Sequence, residues 1–173
     1  MEIKKLAKNA LNFGLNRFIE IIGISIAITG LLLLISLLSY SPEDPNFIFP
    51  ENTNIQNILG FRGSFIADLF YQSFGLIALL IPFSFIFTGS NIFFNKKILL
   101  VIESLFYTIL YSLFGSLFFS NFYINTFKLY INGNGGFVGK YLETTFLNSL
   151  INLNEQISYY VLIVIVTVLF LIS

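Results

Sequence analysis

Four stretches of this sequence are each long and apolar enough to cross a bilayer, and no other feature limits the fold as much. A spanning helix needs about 20 mostly apolar residues. Phe18 to Tyr40 (FIEIIGISIAITGLLLLISLLSY), Ser64 to Gly89 (SFIADLFYQSFGLIALLIPFSFIFTG) and Ile98 to Phe119 (ILLVIESLFYTILYSLFGSLFF) meet that need, and Ile157 to Ser173 (ISYYVLIVIVTVLFLIS) meets it at the short end. The first is longer than the 7–15-residue core of about that size in a secretory signal, and Tyr40-Ser41-Pro42 follows it in place of a small-residue cleavage site. It reads as an uncleaved anchor. The expected fold is an all-α membrane protein, one domain over residues 1–173, with spans near 18–40, 64–89, 98–119 and 157–173 and long loops at 41–63 and 120–156.

Composition agrees. The chain is 56% hydrophobic and 10% charged, against roughly 45–50% and about 25% in a soluble domain. The formal net charge is zero, so no general field draws nucleic acid to it. Cysteine and histidine are both absent. That excludes disulfides, a thiol nucleophile, a histidine base and every Cys/His metal site, and no cofactor or metal is expected.

Lysine and arginine in short loops set orientation. Lys4, Lys5, Lys8 and Arg17 lie before or at the start of the first span, and Lys96 and Lys97 lie in the short turn between the second and third. The long loops mix Arg62, Lys128 and Lys140 with Glu43, Asp44, Glu51, Glu143 and Glu155. Both termini and the short turn are therefore expected inside and both long loops outside. Tyr40, Tyr123, Tyr159 and Tyr160 then fall near the outer interface, where aromatic belts sit.

The outer placement bears on Asn132 to Glu143 (NGNGGFVGKYLE), which nearly spells a phosphate-binding loop. Asn134 replaces the first glycine and Tyr141 the magnesium-binding hydroxyl, and no ATP is maintained outside. The glycines are better read as allowing a tight turn and close backbone approach. A helix, FVGKYLETTFLNSLINL, is expected after them, with Leu142, Phe146, Leu150 and Leu153 as its apolar stripe. That helix can lie in the outer interface or pack on the bundle. The preceding FYINTFKLYIN reads equally as strand or interfacial coil.

Three carboxylates, Glu20, Asp68 and Glu103, fall in or near the spans. A carboxylate inside a membrane is a functional hypothesis by default. Each also has an interfacial reading: Glu20 and Glu103 near the inner end, Glu103 within reach of Lys96 or Lys97, and Asp68 near the positive end of its helix. Signals for a broken helix are sparse, with Pro82 in the second span and isolated Gly30 and Gly115 elsewhere.

The loops carry a resemblance. YSPEDPNF (Tyr40 to Phe47) resembles the Tyr-Ser-Pro-x-Asp-Pro motif that follows the first transmembrane helix of FtsK/SpoIIIE-type DNA translocases. NILGFRGSFIADLFYQSFG (Asn57 to Gly75) is similar to that family's approach to the second helix, and GNGGFVGKYL (Gly133 to Leu142) to its Gly-Gly-x-x-Gly segment before the fourth. The resemblance carries Tyr40, Ser41, Pro42, Asp44, Pro45, Gly60, Gly63, Asp68, Gly75, Gly135, Gly136 and Gly139 as family-motif or interaction residues. The same residues have a local reading: X-Pro pairs end a helix, Ser41 and Asp44 bond nearby backbone, and the glycines allow reversals.

The resemblance implies a membrane anchor of a cell-division DNA translocase, multi-pass in the bacterial inner membrane at the division septum. It implies a homo-oligomer that contacts division proteins as well as the lipid bilayer. DNA and ATP would be engaged only through a C-terminal motor that this sequence lacks, since no Walker pattern occurs in it, so no enzyme activity is expected here. The end inside the fourth span favours a fragment over a split gene or a standalone domain. The rival readings are a small transporter or channel subunit, or an accessory membrane protein unrelated to DNA. Asp44 and Asp68 are expected on one outer side, bracing a contact surface.

Overall fold

A computed structural model describes residues 2–45, 54–123 and 132–173, apart from the side chains of residues 2–4 and 7. Most of the ambiguous 122–132 stretch lies outside the described residues. No strand occurs among the described residues, and four helical stretches are long and apolar enough to cross a membrane: Lys8–Leu38, Gly60–Asn95, Leu100–Phe122 and Glu155–Ile172.

Helix α1 (Glu2–Leu38) has 37 residues, about 55 Å at 1.5 Å per residue. That exceeds a hydrocarbon core of about 30 Å, so its lysine-bearing first turns extend beyond the bilayer. Helix α3 (Ile81–Asn95) runs antiparallel beside it. Lys96 meets Glu20, Gly89 meets Gly23, and Pro82 meets Gly30, at successive levels. Lipid tails are as apolar as leucine, so spans associate through close packing of small residues. A Cβ at Gly23 would stand 2.7 Å from the Gly89 carbonyl oxygen and 2.8 Å from the Phe93 nitrogen.

Helix α2 (Gly60–Phe74) does something else. The Ser36 hydroxyl donates to the Gly63 carbonyl at 2.6 Å, and the Tyr71 hydroxyl donates to the Leu37 carbonyl at 3.1 Å. These contacts are adjacent on α1 yet lie eight residues apart on α2, about 12 Å along it. So α2 crosses the end of α1 instead of running alongside. The sequence suggested one tilted span over 64–89. The structure instead bends this stretch at Gly75, whose φ of +70° is a left-handed conformation that ends helices and suits glycine. A 3-10 segment (Gly75–Leu80) follows, and Pro82 stands in the first turn of α3, where its missing N–H costs nothing. The break signal is therefore Gly75, not Pro82.

Helix α4 (Leu100–Phe122) joins α3 through the Ser84 and Tyr111 hydroxyls, 3.0 Å apart. It joins α7 (Glu155–Ile172) through edge-on rings, Tyr111 and Phe170 at 5.7 Å, and through Phe118 against Tyr159 at 5.3 Å. Only 6% of the α7 span is buried within the chain, leaving most of it to lipid.

The single amphipathic helix expected before the fourth span is two helices, α5 (Gly136–Glu143) and α6 (Phe146–Leu153). Thr145, in extended backbone, divides them, and its hydroxyl oxygen accepts from the Leu147 N–H at 3.4 Å. Threonine favours such a capping position because its oxygen satisfies an orphan donor. The break shifts the register. Phe146, Leu150 and Leu153 are exposed, while Leu147 and Ile151 pack toward Phe118. Of the expected stripe, Leu142 packs toward Phe118 as well, and Phe146, Leu150 and Leu153 form an outward apolar face.

Candidate functional site

The three loop motifs meet at one end of the bundle. The last carbonyls of a helix have no intrahelical donor. At α1 the side chain of Asn57 supplies one: its Nδ2 donates to the carbonyls of Ser36 at 2.9 Å and Ser39 at 3.2 Å. Asn57 also accepts from the Leu59 N–H at 3.1 Å, turning the chain into α2. Asp44 fixes this residue in place. One carboxylate oxygen accepts from the Gln56 N–H at 2.7 Å, the other from the Asn57 N–H at 2.9 Å. Both side chains are buried. A buried carboxylate is tolerated where backbone donors satisfy it.

The prolines set this up. Neither Ser41 nor Asp44 can easily stay helical before proline, so the chain leaves α1 and doubles back. The Asp44 N–H donates to the Ser41 carbonyl at 3.2 Å, the Glu43 N–H to the Ser41 hydroxyl oxygen at 3.4 Å, and the Ser64 hydroxyl to the Pro45 carbonyl at 3.1 Å. Pro42 itself is exposed and Pro45 buried. Gly63 faces the Asn57 amide so closely that any side chain there would collide with it. Gly60 stands clear of other elements.

Asp68 is on the buried face of α2 and accepts from the Tyr40 hydroxyl at 3.0 Å and from Gln72 Nε2 at 3.4 Å. Tyr40 in turn packs on Tyr71, ring centroids 5.0 Å apart. Asp44 and Asp68 thus lie at the same end, as expected, but both point inward. They brace the junction of α1 and α2, not an exposed surface.

The glycine loop completes the arrangement. The Leu76 N–H, freed where the helix bends, donates to the Asn134 carbonyl at 2.9 Å. Gly136, with φ +64°, approaches so closely that a Cβ there would stand 2.5 Å from the Gly75 nitrogen and 2.6 Å from the Ser73 carbonyl. Gly135 and Gly139 lie against Ser116 and Ser120 of α4. Asn134 Nδ2 donates to the Tyr123 carbonyl, and Asn132 Nδ2 to the Gln72 carbonyl at 3.4 Å. Two N–H groups of this loop are already engaged: Gly136 donates to the Gly133 carbonyl and Gly139 to the Gly135 carbonyl, each at 3.1 Å. Lys140 is exposed and lines a shallow cavity with Asn132, Gly133, Asn134, Gly135 and Glu143. The glycines serve helix packing.

At the opposite end Glu20 is buried between Arg17 and Lys96, whose Nζ lies 3.0 Å away. The sequence offered Lys96 to Glu103 as a partner; Glu103 is exposed and makes no ion pair among the described residues. No group of three or more acidic or other metal-ligating side chains lies together among the described residues.

One pattern escaped the sequence reading. Ser104, Thr108, Ser112, Ser116 and Ser120 recur at every fourth position of α4, all buried. Each step advances about 40° around the helix, so the row winds from one neighbour to the next. Ser104 bonds Thr88 of α3, Ser116 donates to the Phe74 carbonyl at 2.9 Å, and Ser120 meets the glycines of α5. Asn57, named above only as the start of the second motif, and Asn134, named only as replacing a glycine, were not given these bonding roles. Their positions, Asn57 just before α2 and Asn134 beside a glycine pair, were the available signal.

Comparison with known proteins places this geometry. Residues 16–173 match the family described as the 4TM region of DNA translocase FtsK/SpoIIIE. The chain is 33% identical over 84 residues to a DNA translocase FtsK of Rickettsia bellii (strain RML369-C), covering 47% of this chain and 11% of that protein. It is 38% identical over 64 residues to one from Rickettsia typhi (strain ATCC VR-144 / Wilmington), covering 37% and 9%. It is 31% identical over 81 residues to one from Azospirillum brasilense, covering 46% and 13%. The matched segment is thus about a tenth of each relative's length. No solved structure matches.

Proposed function

The chain belongs to the family of the FtsK/SpoIIIE four-helix membrane region, and from that premise we propose that it anchors a cell-division DNA translocase in the bacterial inner membrane. The anchor holds a cytoplasmic ATPase motor, which acts on DNA, at the division septum. It brings subunits together as a homo-oligomer, and its outer end contacts other division proteins. Translocation and ATP hydrolysis belong to the parts of the relatives that this chain does not match.

The observation that supports this best is the family match across all four spans together with the closed outer cap. Transporters place broken helices around an open site near the midplane. Here the break at Gly75 lies at the outer end and is filled by backbone from Asn134, which speaks against the transporter reading. The motif residues Asp44, Asp68 and Gly63 are consumed inside the cap. Partner contact therefore falls to exposed residues around them, Pro42, Glu43 and Arg62.

The test joins this chain to an FtsK motor and a fluorescent tag in a rod-shaped bacterium. Septal fluorescence is expected, and a combined Pro42→Ala, Glu43→Lys, Arg62→Glu variant should stay membrane-inserted but spread around the cell. Uniform fluorescence of the unaltered chain would overturn the anchor reading. Normal septal placement of the triple variant would overturn only the assignment of contacts to the outer cap.

A further inference from the structure

A groove runs up the inner half of the bundle between α1 and α4, with α3 as its floor. Ile21, Ser25 and Thr29 form one wall, Phe85 lies beneath, and Val101 and Ser104 form the other. Its volume is 380 Å³. From Ile21 to Thr29 is about 12 Å along the helix axis, close to one leaflet of a hydrocarbon core about 30 Å thick.

Three observations fix what fits. The hydroxyls lining it are already paired: Ser25 donates to the Ile21 carbonyl and Thr29 to the Ser25 carbonyl, both at 2.9 Å, and Ser104 is bonded to Thr88. The groove asks for no hydrogen bond, so its occupant is apolar. Its lining over that length is mainly aliphatic, with Ile21, Ile22, Ile26, Val101 and Leu105, and an extended hydrocarbon chain matches it. The third observation is charge at the lower mouth. Arg17 is one turn below Ile21 on α1, and Lys97 stands just before α4, at the foot of Val101. Arg17 is 57% exposed while it holds Glu20, and Lys97 has no ion-pair partner among the described residues. Lys96 is the second cation on Glu20, so three bases stand there with that one acid. Glu103 lines a different pocket, on the side of α4 toward Ile172.

We propose that this groove is a binding site for an anionic phospholipid of the inner leaflet, one acyl chain lying in the groove and the phosphate at Arg17 and Lys97. Basic pockets between spans on the cytoplasmic side recognise such headgroups. The occupant is lipid, not a partner helix and not free phosphate, because the charge and the apolar slot must be filled by one molecule.

The experiment reconstitutes the whole chain in nanodiscs of equal phosphatidylglycerol and phosphatidylcholine, re-extracts it in mild detergent, and weighs the retained lipid by native mass spectrometry. The unaltered chain should retain about one lipid, enriched at least about five-fold in phosphatidylglycerol. Arg17→Gln with Lys97→Gln keeps Lys96 on Glu20; it should retain lipid with the preference near parity. Ser25→Phe, which fills the groove from an exposed position on α1, should lose the retained lipid while eluting as the same species. No enrichment in the unaltered chain, or enrichment that survives either variant, would overturn the site. Septal placement is not an input to this measurement, so the site can fail while the anchor reading stands, and the reverse.

Discussion

The backbone carbonyl of Asn134 accepts the N–H of Leu76 at 2.9 Å, so a loop before the fourth span supplies the bond that the second span loses where it bends. Two segments far apart in sequence fold as one unit at that point, and substitutions there can be ranked by how they disturb it.

Gly75 and Gly136 both adopt left-handed backbone, and both face backbone atoms too near for a side chain. Gly133 is left-handed at φ +77° but has open space around it. Gly75→Ala or Gly136→Ala should therefore cost more than Gly133→Ala, which carries only the conformational penalty of about 1–2 kcal/mol. Thermal unfolding in detergent gives the order, and equal shifts for the three would contradict it.

Asp44→Ala removes the acceptor for two N–H groups and releases Asn57 from the end of α1. Bonds to charged groups are worth about 1.5–3 kcal/mol, so the variant should be clearly less stable. Asn57→Ala should resemble it, and the double variant should be little worse than either, because the two act in series. Additive losses in chemical denaturation would argue against that chain of contacts.

On α4, Ser116 donates to the Phe74 carbonyl, whereas Ser112 has no partner among the described residues. Hydrogen bonds between membrane helices average about 0.6 kcal/mol. Ser116→Ala should lose stability of that order, and Ser112→Ala should be neutral or slightly stabilising. A denaturation series on the two variants separates them.

The charge pattern gives an orientation that labelling can check. Single cysteines in this cysteine-free chain at Glu43 and Lys140, both exposed, should react with an impermeant reagent added outside intact cells. One at Asn95 should react only after permeabilisation. Asn134 is a poor site for this purpose, being almost fully buried. External reaction at Asn95 would invert the topology.

Nucleotide binding offers a further check. The N–H groups of Gly136 and Gly139 are engaged within their own turns, so a labelled ATP analogue should show no saturable binding to the purified chain. Binding abolished by Lys140→Ala would reverse this reading.

The spans were legible because hydropathy over about 20 residues is a physical requirement of the bilayer. The direction of a span was not. Gly75 opens the apolar run Gly75 to Phe83, and hydropathy does not register that one left-handed residue turns α2 across α1. The loop acids were placed at the right end but read as surface, because sequence alone did not reveal that Asp44 would meet the N–H groups of Gln56 and Asn57. The serine row on α4 was missed because serine is nearly neutral in hydropathy, so its spacing is the only mark it leaves.

The crossing of α2 over α1 has a mechanical consequence. A rod drawn along its own axis slides most easily when its neighbours lie parallel to it, since each contact along a smooth flank can slip and re-form. A bar fixed across the tip behaves like a toggle on a cord. Tension applied to α1 from its lysine-bearing end would be met by the bonds at Ser36, Leu37 and Ser39 together, and by the width of α2 bearing on its neighbours α5 and α4. The tip of α1 is cleated against a pull from that end.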